Sequence, residues 1–493
     1  MKQTLILTLA FAFGTMQMAC GSVDDNFNRK DEIETPEPTD PGSEPGPGEE
    51  IIAGAIYASP TGFASNKGTK ESPLSIDAAI TTIQPGGTIY LLGGEYILGS
   101  RLLLSKKGTQ EKPFQIFAYP GENPVIDGRN LTNYSQVKLC VGIRIDGLYW
   151  HLKGLEITDC FGGGLWIIDG SYNTIEQCVS HHNGADGFII GYGHRRPGEE
   201  DRNPALTNAA YNTFINCDAH HNFDWHTTTN GIGQNADGFN VKGMNGKGNK
   251  YIGCRAWCNS DDNYDFLDCS APLQVINCYA FRAARWEDHR EMYQKKTGKN
   301  LTQALFEGNG NGFKLGGGYD TPATCILGSR GVHIVRNSIA MENLRNGFDQ
   351  NNHKYGAWIE NCLGASNRIN FRFLADVENG YGWYFRNNIS MLLTQPAQYA
   401  DAIQNVLFDD GNSWNDPALK TAGVLSDFVS LNLEDGIAPR QADGSLPDDF
   451  GRLTPGSRFI DKGVPTIAVS TGDFQYDPIP YKGSAPDLGA YEF

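Results

Sequence analysis

One short pattern recurs along this chain, and no other feature restricts its fold as much. Gln177-Cys178-Val179-Ser180 returns as Asn216-Cys217-Asp218-Ala219, Gly253-Cys254-Arg255-Ala256 and Asn277-Cys278-Tyr279-Ala280. It returns again as Asn337-Ser338-Ile339-Ala340, Asn361-Cys362-Leu363-Gly364 and Asn387-Asn388-Ile389-Ser390, and Gly154-Leu155-Glu156-Ile157 fits upstream. Where nothing intervenes, the steps are 23 (155 to 178), 24 (254 to 278), 24 (338 to 362) and 26 (362 to 388) residues. An asparagine follows the anchor at Asn183, Asn222, Asn259, Asn343 and Asn367, and a phenylalanine comes next at Phe188, Phe239, Phe266, Phe313, Phe348 and Phe371. The segments between are short and alternating. A fixed period of this size, filled with short strands, is a solenoid.

The expected fold is all-β: a right-handed parallel β-helix with coils of about 24 residues over residues 51–400, stacked at the interstrand spacing of roughly 4.8 Å. Residues at one repeat position then form ladders. The Asn ladder belongs at a bend, where amides bond to turn backbone and to one another. The Cys ladder (Cys178, Cys217, Cys254, Cys278, Cys362) points inward as small buried hydrophobes rather than disulfides. Pairing of Cys140, Cys160, Cys258, Cys269 and Cys325 stays open. Long steps mark insertions around His194 to Asn208, around Trp225 to Gln234, and from Arg282 to Gly308 with a helical run at Trp286 to Met292. Loops on one side of a rigid scaffold build clefts. A helix near Leu74 to Ile83 would cap the N-terminal end, and residues 401–493 read as a C-terminal cover.

The first fifty residues stand outside this pattern. Lys2, the apolar run Leu5 to Gly14, and Gln17-Met18-Ala19-Cys20 read as a signal peptide over 1–20, too short to span a membrane. The small residue before Cys20 is similar to a bacterial lipobox, with Cys20 as the lipidated residue; an ordinary secretory signal is the alternative. Residues 21–50 hold ten acids and two bases among Pro and Gly, and read as a disordered tether. The expected address is therefore the outer membrane and cell surface of a Gram-negative bacterium, with secreted or periplasmic as alternatives, and contact with the membrane only through the lipid. Of the net charge of −17, residues 51–493 carry −10. An acidic body argues against nucleic acid as a partner. A monomer is expected.

The chemistry-bearing residues sit between Asp237 and Lys314. Asp237 lies in one coil and Asp261, Asp262 and Asp265 in the next, so stacking can bring their carboxylates together. An arbitrary Asp-Asp-x-x-Asp is a set of solvated turn residues. With Asp237 one coil earlier, mutual repulsion calls for a cation, and an all-oxygen set favours Ca²⁺. Lys314 follows Phe313 in a glycine-rich frame and faces the side that Asp265 takes next to Phe266. A divalent ion nearby would lower its pKa, as a general base requires; a plain surface lysine is the alternative. A cation with a neutral amine suits proton abstraction α to a carboxylate, as at C5 of a uronic-acid polymer, with elimination at O4. Hydrolysis would need a free acid and carboxylate pair.

Tyr57-Ala58-Ser59-Pro60-Thr61-Gly62, Asp237-Gly238-Phe239, Asp261-Asp262-Asn263-Tyr264-Asp265 and Asn311-Gly312-Phe313-Lys314-Leu315-Gly316-Gly317 resemble polysaccharide lyase family 9, of the pectin lyase-like β-helix superfamily. The resemblance covers roughly residues 55–400. It implies a right-handed parallel β-helix and calcium-dependent β-elimination on pectic galacturonate polymers, either polygalacturonate or the rhamnogalacturonan I backbone. It puts the calcium aspartates on Asp237, Asp261, Asp262 and Asp265 and the base on Lys314. A non-catalytic sugar-binding or adhesin β-helix and a pectin hydrolase are the competing readings. Lys242, Arg255 and Arg282 are candidates for holding substrate carboxylates, or are outer-face residues. Arg195, Arg196, Arg202 and Arg285, with Trp225, Trp286 and Tyr293, supply further cations and rings in the insertions. His181-His182 and His220-His221 occupy equivalent coil positions, as a polar ladder or as ligands for a transition metal.

Overall fold

The computed structural model describes residues 51–132, 140–191, 209–227, 230–241, 245–267, 269, 271–316, 332–391, 401–419, 425–471 and 474–493. Three long sheets, all parallel, run the length of the body: one of twelve strands and two of ten. Each coil contributes one strand to each sheet in turn. The chain passes from the twelve-stranded sheet (sheet 1) to the first ten-stranded sheet (sheet 2), and then to the second (sheet 3). A representative coil is Lys250–Ile252, Arg255–Trp257 and Tyr264–Asp265. The coil continues past residue 400, through Ala402–Ile403 and Val406–Asp410.

The recurring tetrapeptide is the corner between sheets 1 and 2. Its first residue is left-handed in every coil: Gln177 (φ 50°), Asn216 (53°), Asn277 (54°), Asn337 (52°), Asn361 (51°) and Asn387 (57°), with Gly253 in the same role. Asn tolerates this conformation because its short side chain bonds locally. The next residue turns inward, and Cys178, Cys217, Cys254, Cys278 and Cys362 are buried free thiols. Cys140, Cys160, Cys258 and Cys269 are buried as well; Cys325 and Cys20 lie outside the described residues.

The corner between sheets 2 and 3 carries the asparagine ladder. Asn183 Nδ2 donates to Asn222 Oδ1 (3.0 Å), Asn222 to Asn259 (2.9 Å), and Asn343 to Asn367 (2.8 Å). The rung between Asn259 and Asn343 is not at the repeat position, where Ala283 stands. Asn263, from the strand side, reaches inward to accept from Asn259 (2.9 Å) and donate to Asn343 (3.0 Å). The aromatic ladder also differs from expectation. The register runs Phe188, Phe239, Tyr264, Phe313, Phe348, Phe371, so Tyr264 and not Phe266 holds the rung. Neighbouring rings stack with centroids 4.6–5.2 Å apart.

At the N-terminal end the helix Ile76–Thr82 buries Ile76, Ala79 and Ile80 on the core, and Lys106 Nζ donates to the Thr81 and Ile83 carbonyls at its C-terminus. The insertion after sheet 2 holds a 3₁₀ turn, Trp286–His289, and a helix, Arg290–Thr297. Among the described residues no helix is long and apolar enough to cross a membrane. Over sheet 2 the inner row is small (Ala219, Ala256, Ala280, Ala340) and the outer row of the later coils is large and apolar. Tyr279, Phe281, Ile339, Met341, Leu363, Ile389 and Met391 pack there against Phe428, Leu433, Phe450, Phe459 and Leu488 of the C-terminal segment.

That cover is fastened by a buried ion cluster. Arg255 donates to both oxygens of Asp218 (2.9 and 2.6 Å), and Arg440 of the C-terminal segment donates to Asp218 Oδ1 (2.6 Å). Burial would raise the Asp218 carboxyl, but the two guanidinium groups override it and hold it at about 2, below its ordinary 3.8. A depressed acid contributes stability above its unfolded pKa and loses it as the pH falls through the folded value. The cluster should therefore hold above about pH 4 and fail as the pH falls toward 2. Asp218→Asn leaves two buried guanidiniums poorly matched, at a cost of about 3–5 kcal/mol. We expect a lower Tm at pH 7 and a smaller fall in Tm between pH 4 and 2 than in the wild type, read by circular dichroism.

Candidate active site and metal centre

The site lies on sheet 3 and consists of two rows. The first row stands at the entrance to each strand: Asp186, Asp237, Asp262, Asn311, Asn346. Each side-chain oxygen accepts the backbone N–H of the next member: Asp186 Oδ1 from Asp237 (3.2 Å), Asp237 Oδ1 from Asp262 (2.9 Å), Asp262 Oδ1 from Asn311 (2.7 Å), and Asn311 Oδ1 from Asn346 (3.3 Å). The glycine that follows in most coils is a steric requirement. A Cβ on Gly238 would stand 2.6 Å from the Asn263 carbonyl oxygen, and one on Gly312 would stand 2.6 Å from that of Gly347. The second row is three residues further on, pointing out between inward aromatic rungs: Asn240, Asp265, Lys314, Asp349 and Arg372 are paired in register.

Stacking brings one carboxylate oxygen each of Asp237, Asp262 and Asp265 within 4.8 Å of one another. All three are buried. Asp261 is buried too, and its Oδ1 accepts from the Asn309 N–H (2.6 Å), which ties the large insertion to the site. Burial and then the neighbouring carboxylates push Asp237 and Asp261 well above the ordinary range. Asp262 is also raised, by burial first and by Asp265, with Lys314 pulling the other way. Asn240 Nδ2 donates to Asp237 Oδ2 and to Asp186 Oδ1.

Lys314 sits among these acids. Its Nζ donates to Asp265 Oδ2 (3.2 Å) and lies 3.0 Å from Asp262 Oδ2 without hydrogen-bond alignment. Burial disfavours its ammonium, and the charges of Asp262, Asp265, Asp261 and Asp237 outweigh that, holding it well above an ordinary lysine. The protein's own groups thus act against the fall in pKa that a base needs. A divalent cation among the carboxylates acts in the opposite sense. The residues fit such an ion. The converging donors are oxygens, and two buried oxygens, Asp262 Oδ2 and Asn240 Oδ1, accept no hydrogen bond from the described residues. A hard-oxygen set of this kind suits Ca²⁺.

The substrate-binding candidates fare differently. Arg255 must be corrected: its strand belongs to sheet 2, and its guanidinium is buried on Asp218 and the Gly436 and Ala438 carbonyls beneath the C-terminal cover. Arg282 stands at the corner leaving sheet 2 and is committed to Asp288 (3.0 Å) of its own insertion. Arg285 donates to the Glu342 carbonyl, Trp225 and Tyr293 are buried, and Trp286 packs against the core with Arg290 over its ring. Lys242, Arg195, Arg196 and Arg202 lie outside the described residues. Two acids and a cation were missed. Asp186 was legible, since Ala185-Asp186-Gly187-Phe188 repeats Ala236-Asp237-Gly238-Phe239. Phe348-Asp349 and Phe371-Arg372 likewise repeat Phe313-Lys314, which extends the second row. Asp186→Ala should loosen Asp237, and if the acidic set takes up Ca²⁺ the substitution should weaken that uptake by about 10- to 100-fold, as loss of a residue supporting a ligand does. Isothermal titration with Ca²⁺ checks this.

Residues 56–388 match the family described as the Pel9A-like, right-handed β-helix region. Pectate lyase L of Dickeya dadantii (strain 3937) is 34% identical over 446 residues, which cover 88% of this chain and 90% of that protein. Pectate lyase L of Paenibacillus polymyxa (strain SC2) is 30% identical, over 84% and 85%. Of solved structures, the crystal structure of pectate lyase Pel9A superimposes with a TM-score of 0.70 at 32% identity, over 89% of this chain and 96% of that one. A rhamnogalacturonan lyase superimposes at 0.65 with 25% identity, over 81% and 96%.

Proposed function

The chain belongs to the Pel9A-like right-handed β-helix family, and on that footing we propose that it is a pectic polysaccharide lyase with Lys314 as its base and Ca²⁺ as its cofactor. The observation that carries the reading is the register of sheet 3. It sets a buried lysine one coil from Asp265 and within 3.0 Å of Asp262, with Asp237 stacked over Asp262.

Asp237, Asp261, Asp262 and Asp265 would hold the cation. When bound, it supplies positive charge that neutralises the acidic set and stabilises the enolate-like intermediate on the substrate carboxylate. Lys314 Nζ, outward on its strand, takes the C5 proton of a galacturonate unit. The C5 electron pair forms the C4–C5 double bond as the C4–O4 bond breaks, and O4 leaves with the departing sugar. Asn311 and Asp186 fix the first-row carboxylates through backbone and amide hydrogen bonds, so the set need not reorganise during turnover. Asp349 and Arg372, ion-paired at 3.2 Å, continue the same row and give the groove one cation beyond the base.

The relatives act on pectate and on rhamnogalacturonan, and both polymers carry the galacturonate this chemistry needs. Parallel assays on demethylated polygalacturonate and debranched rhamnogalacturonan I, read by ultraviolet absorbance of the unsaturated product, choose between them. No such product from either overturns the proposal, and saturated products in its place identify a hydrolase. We also propose attachment to the outer membrane through Cys20, with residues 21–50 as tether; both lie outside the described residues.

Lys314→Ala should keep the fold and calcium binding and lose turnover by about 10²- to 10⁴-fold. Residual activity above roughly 1% of wild type, against that range, removes Lys314 from the role. Exhaustive chelation should abolish activity and Ca²⁺ should restore it, with Asp262→Ala needing far more calcium. Full activity after chelation would make the aspartates structural.

A further inference from the structure

A second group of ligands lies outside the acid and lysine rows, on the outer side of sheet 2. His181 and His220 stand in register on adjacent coils, with ring centroids 4.8 Å apart and planes 1° from parallel. His182 and His221 take the next positions, at the left-handed corner, 5.2 Å apart and 4° from parallel. Within each coil the two rings turn the same nitrogen toward each other. His181 Nδ1 lies 2.7 Å from His182 Nδ1, and His220 Nδ1 lies 2.9 Å from His221 Nδ1.

The tautomers follow from the partners. His181 Nε2 is 3.0 Å from Glu156 Oε1, so Nε2 bears the proton and Nδ1 of the neutral ring presents a lone pair. The Thr158 hydroxyl lies 3.4 Å from that Nδ1. In the first contact His182 Nδ1 therefore donates to His181 Nδ1. Moving the His182 proton to its Nε2 leaves both Nδ1 lone pairs available to an ion. A carboxylate holding the far nitrogen of a histidine is the arrangement that orients imidazole ligands on metals. One donor atom each from His181, His182 and His220 lies within 4.8 Å of the others. Bonds of about 2.0–2.1 Å let ligands stand up to about 4.2 Å apart, so small side-chain rotations close the set. The three rings are half-buried, so an ion can reach them.

We propose that His181, His182 and His220 form a binding site for a divalent transition-metal ion, distinct from the oxygen-lined site on sheet 3, with Glu156 orienting His181. Nitrogen ligands select zinc-like ions and reject calcium. The ion would bridge two adjacent coils at the sheet 2 corner, beside the 286–297 insertion. The buried group Cys269, His333 and His353 is a weaker candidate. There His333 Nδ1 accepts the Leu273 N–H at 3.0 Å, which leaves the proton on the Nε2 that faces Cys269.

The test uses the full chain in saturating Ca²⁺, with Zn²⁺ titrated by calorimetry and Co²⁺ as a visible-absorption probe. One equivalent should bind and raise Tm. His181→Ala and His220→Ala should each weaken binding at least about tenfold, and Glu156→Gln by about 10- to 100-fold. His182→Ala, at the corner and free of the Trp257 stack that supports His220, gives the same readout should His220→Ala fail to fold. In an Asp262→Ala background zinc binding should persist. Absence of saturable Zn²⁺ or Co²⁺ binding overturns the proposal, as does affinity indifferent to the histidine substitutions. Binding lost with Asp262→Ala assigns the ion to the acidic set instead and overturns it too.

Discussion

Everything in this molecule depends on one constraint, the hydrogen-bonded register between successive coils. Parallel strands stack at roughly 4.8 Å, so a side chain in one coil meets the residue one repeat away, whatever its chemistry. Phe over Phe and Cys over Cys are favourable and self-reinforcing. The asparagine ladder is favourable because each amide both donates and accepts, and its Nδ2 and Oδ1 face opposite neighbours. The same constraint makes charge stacking expensive. Asp186, Asp237 and Asp262 follow one another in one row, and Asp265 is next to them in the second. The fold tolerates this arrangement by donating backbone N–H groups to each first-row carboxylate and by placing Lys314 against the far end of the acidic run.

The acidic run and the lysine are therefore one device. With only protein groups present, Lys314 is the counter-ion and is held as ammonium. An oxygen-seeking dication competes for the same carboxylates with twice the charge, and the ammonium is then no longer favoured. An ion bound there and loss of the Lys314 proton would be coupled through Asp262 and Asp265, the two acids nearest Nζ. A surface lysine would not have this coupling, because solvent screening would dissolve it.

Much of the fold was legible because the repeat is carried by residues whose conformation is restricted. Asn in the left-handed corner, Cys or Ser behind it and Asn at the second corner each answer a local steric demand, and each recurs at the period. The errors came where the third dimension decides. Phe266 has the right type, but Tyr264 holds the register, five residues after Asn259 as Phe188 is after Asn183 and Phe348 after Asn343. Asn263 lies within the acidic motif; it also supplies the ladder amide that Ala283, in register but without one, cannot. Arg255 is a candidate for the cleft by residue type alone. It stands on a different sheet, and that assignment depends on which side of a corner a residue falls. Asp186 was visible as a repeated tetrapeptide, but only a reading of register gives that repetition meaning.

The second row also bears on how a net acidic body can hold an acidic polymer. Residues 51–493 carry −10, and at long range such a field repels polyanions. Along sheet 3, however, the outward row changes from Asn240 and Asp265 to Lys314, Asp349 and Arg372, and Arg372 is half-exposed with a single bond to Asp349. Charge alternates coil by coil from Asp265 onward, and a dication on the acidic side would offset two of the carboxylate charges there. Attraction then operates only within about a Debye length of the groove. A polymer with a carboxylate on every ring would gain from each coil that presents a cation, whereas one with a carboxylate on alternate rings would need only every second. Lys314 and Arg372 are two coils apart with Asp349 between them. Lys314 counts as a cation only while no ion is bound; with an ion in place it gives up that charge, and Arg372, paired with Asp349, is the cation the row offers a substrate carboxylate.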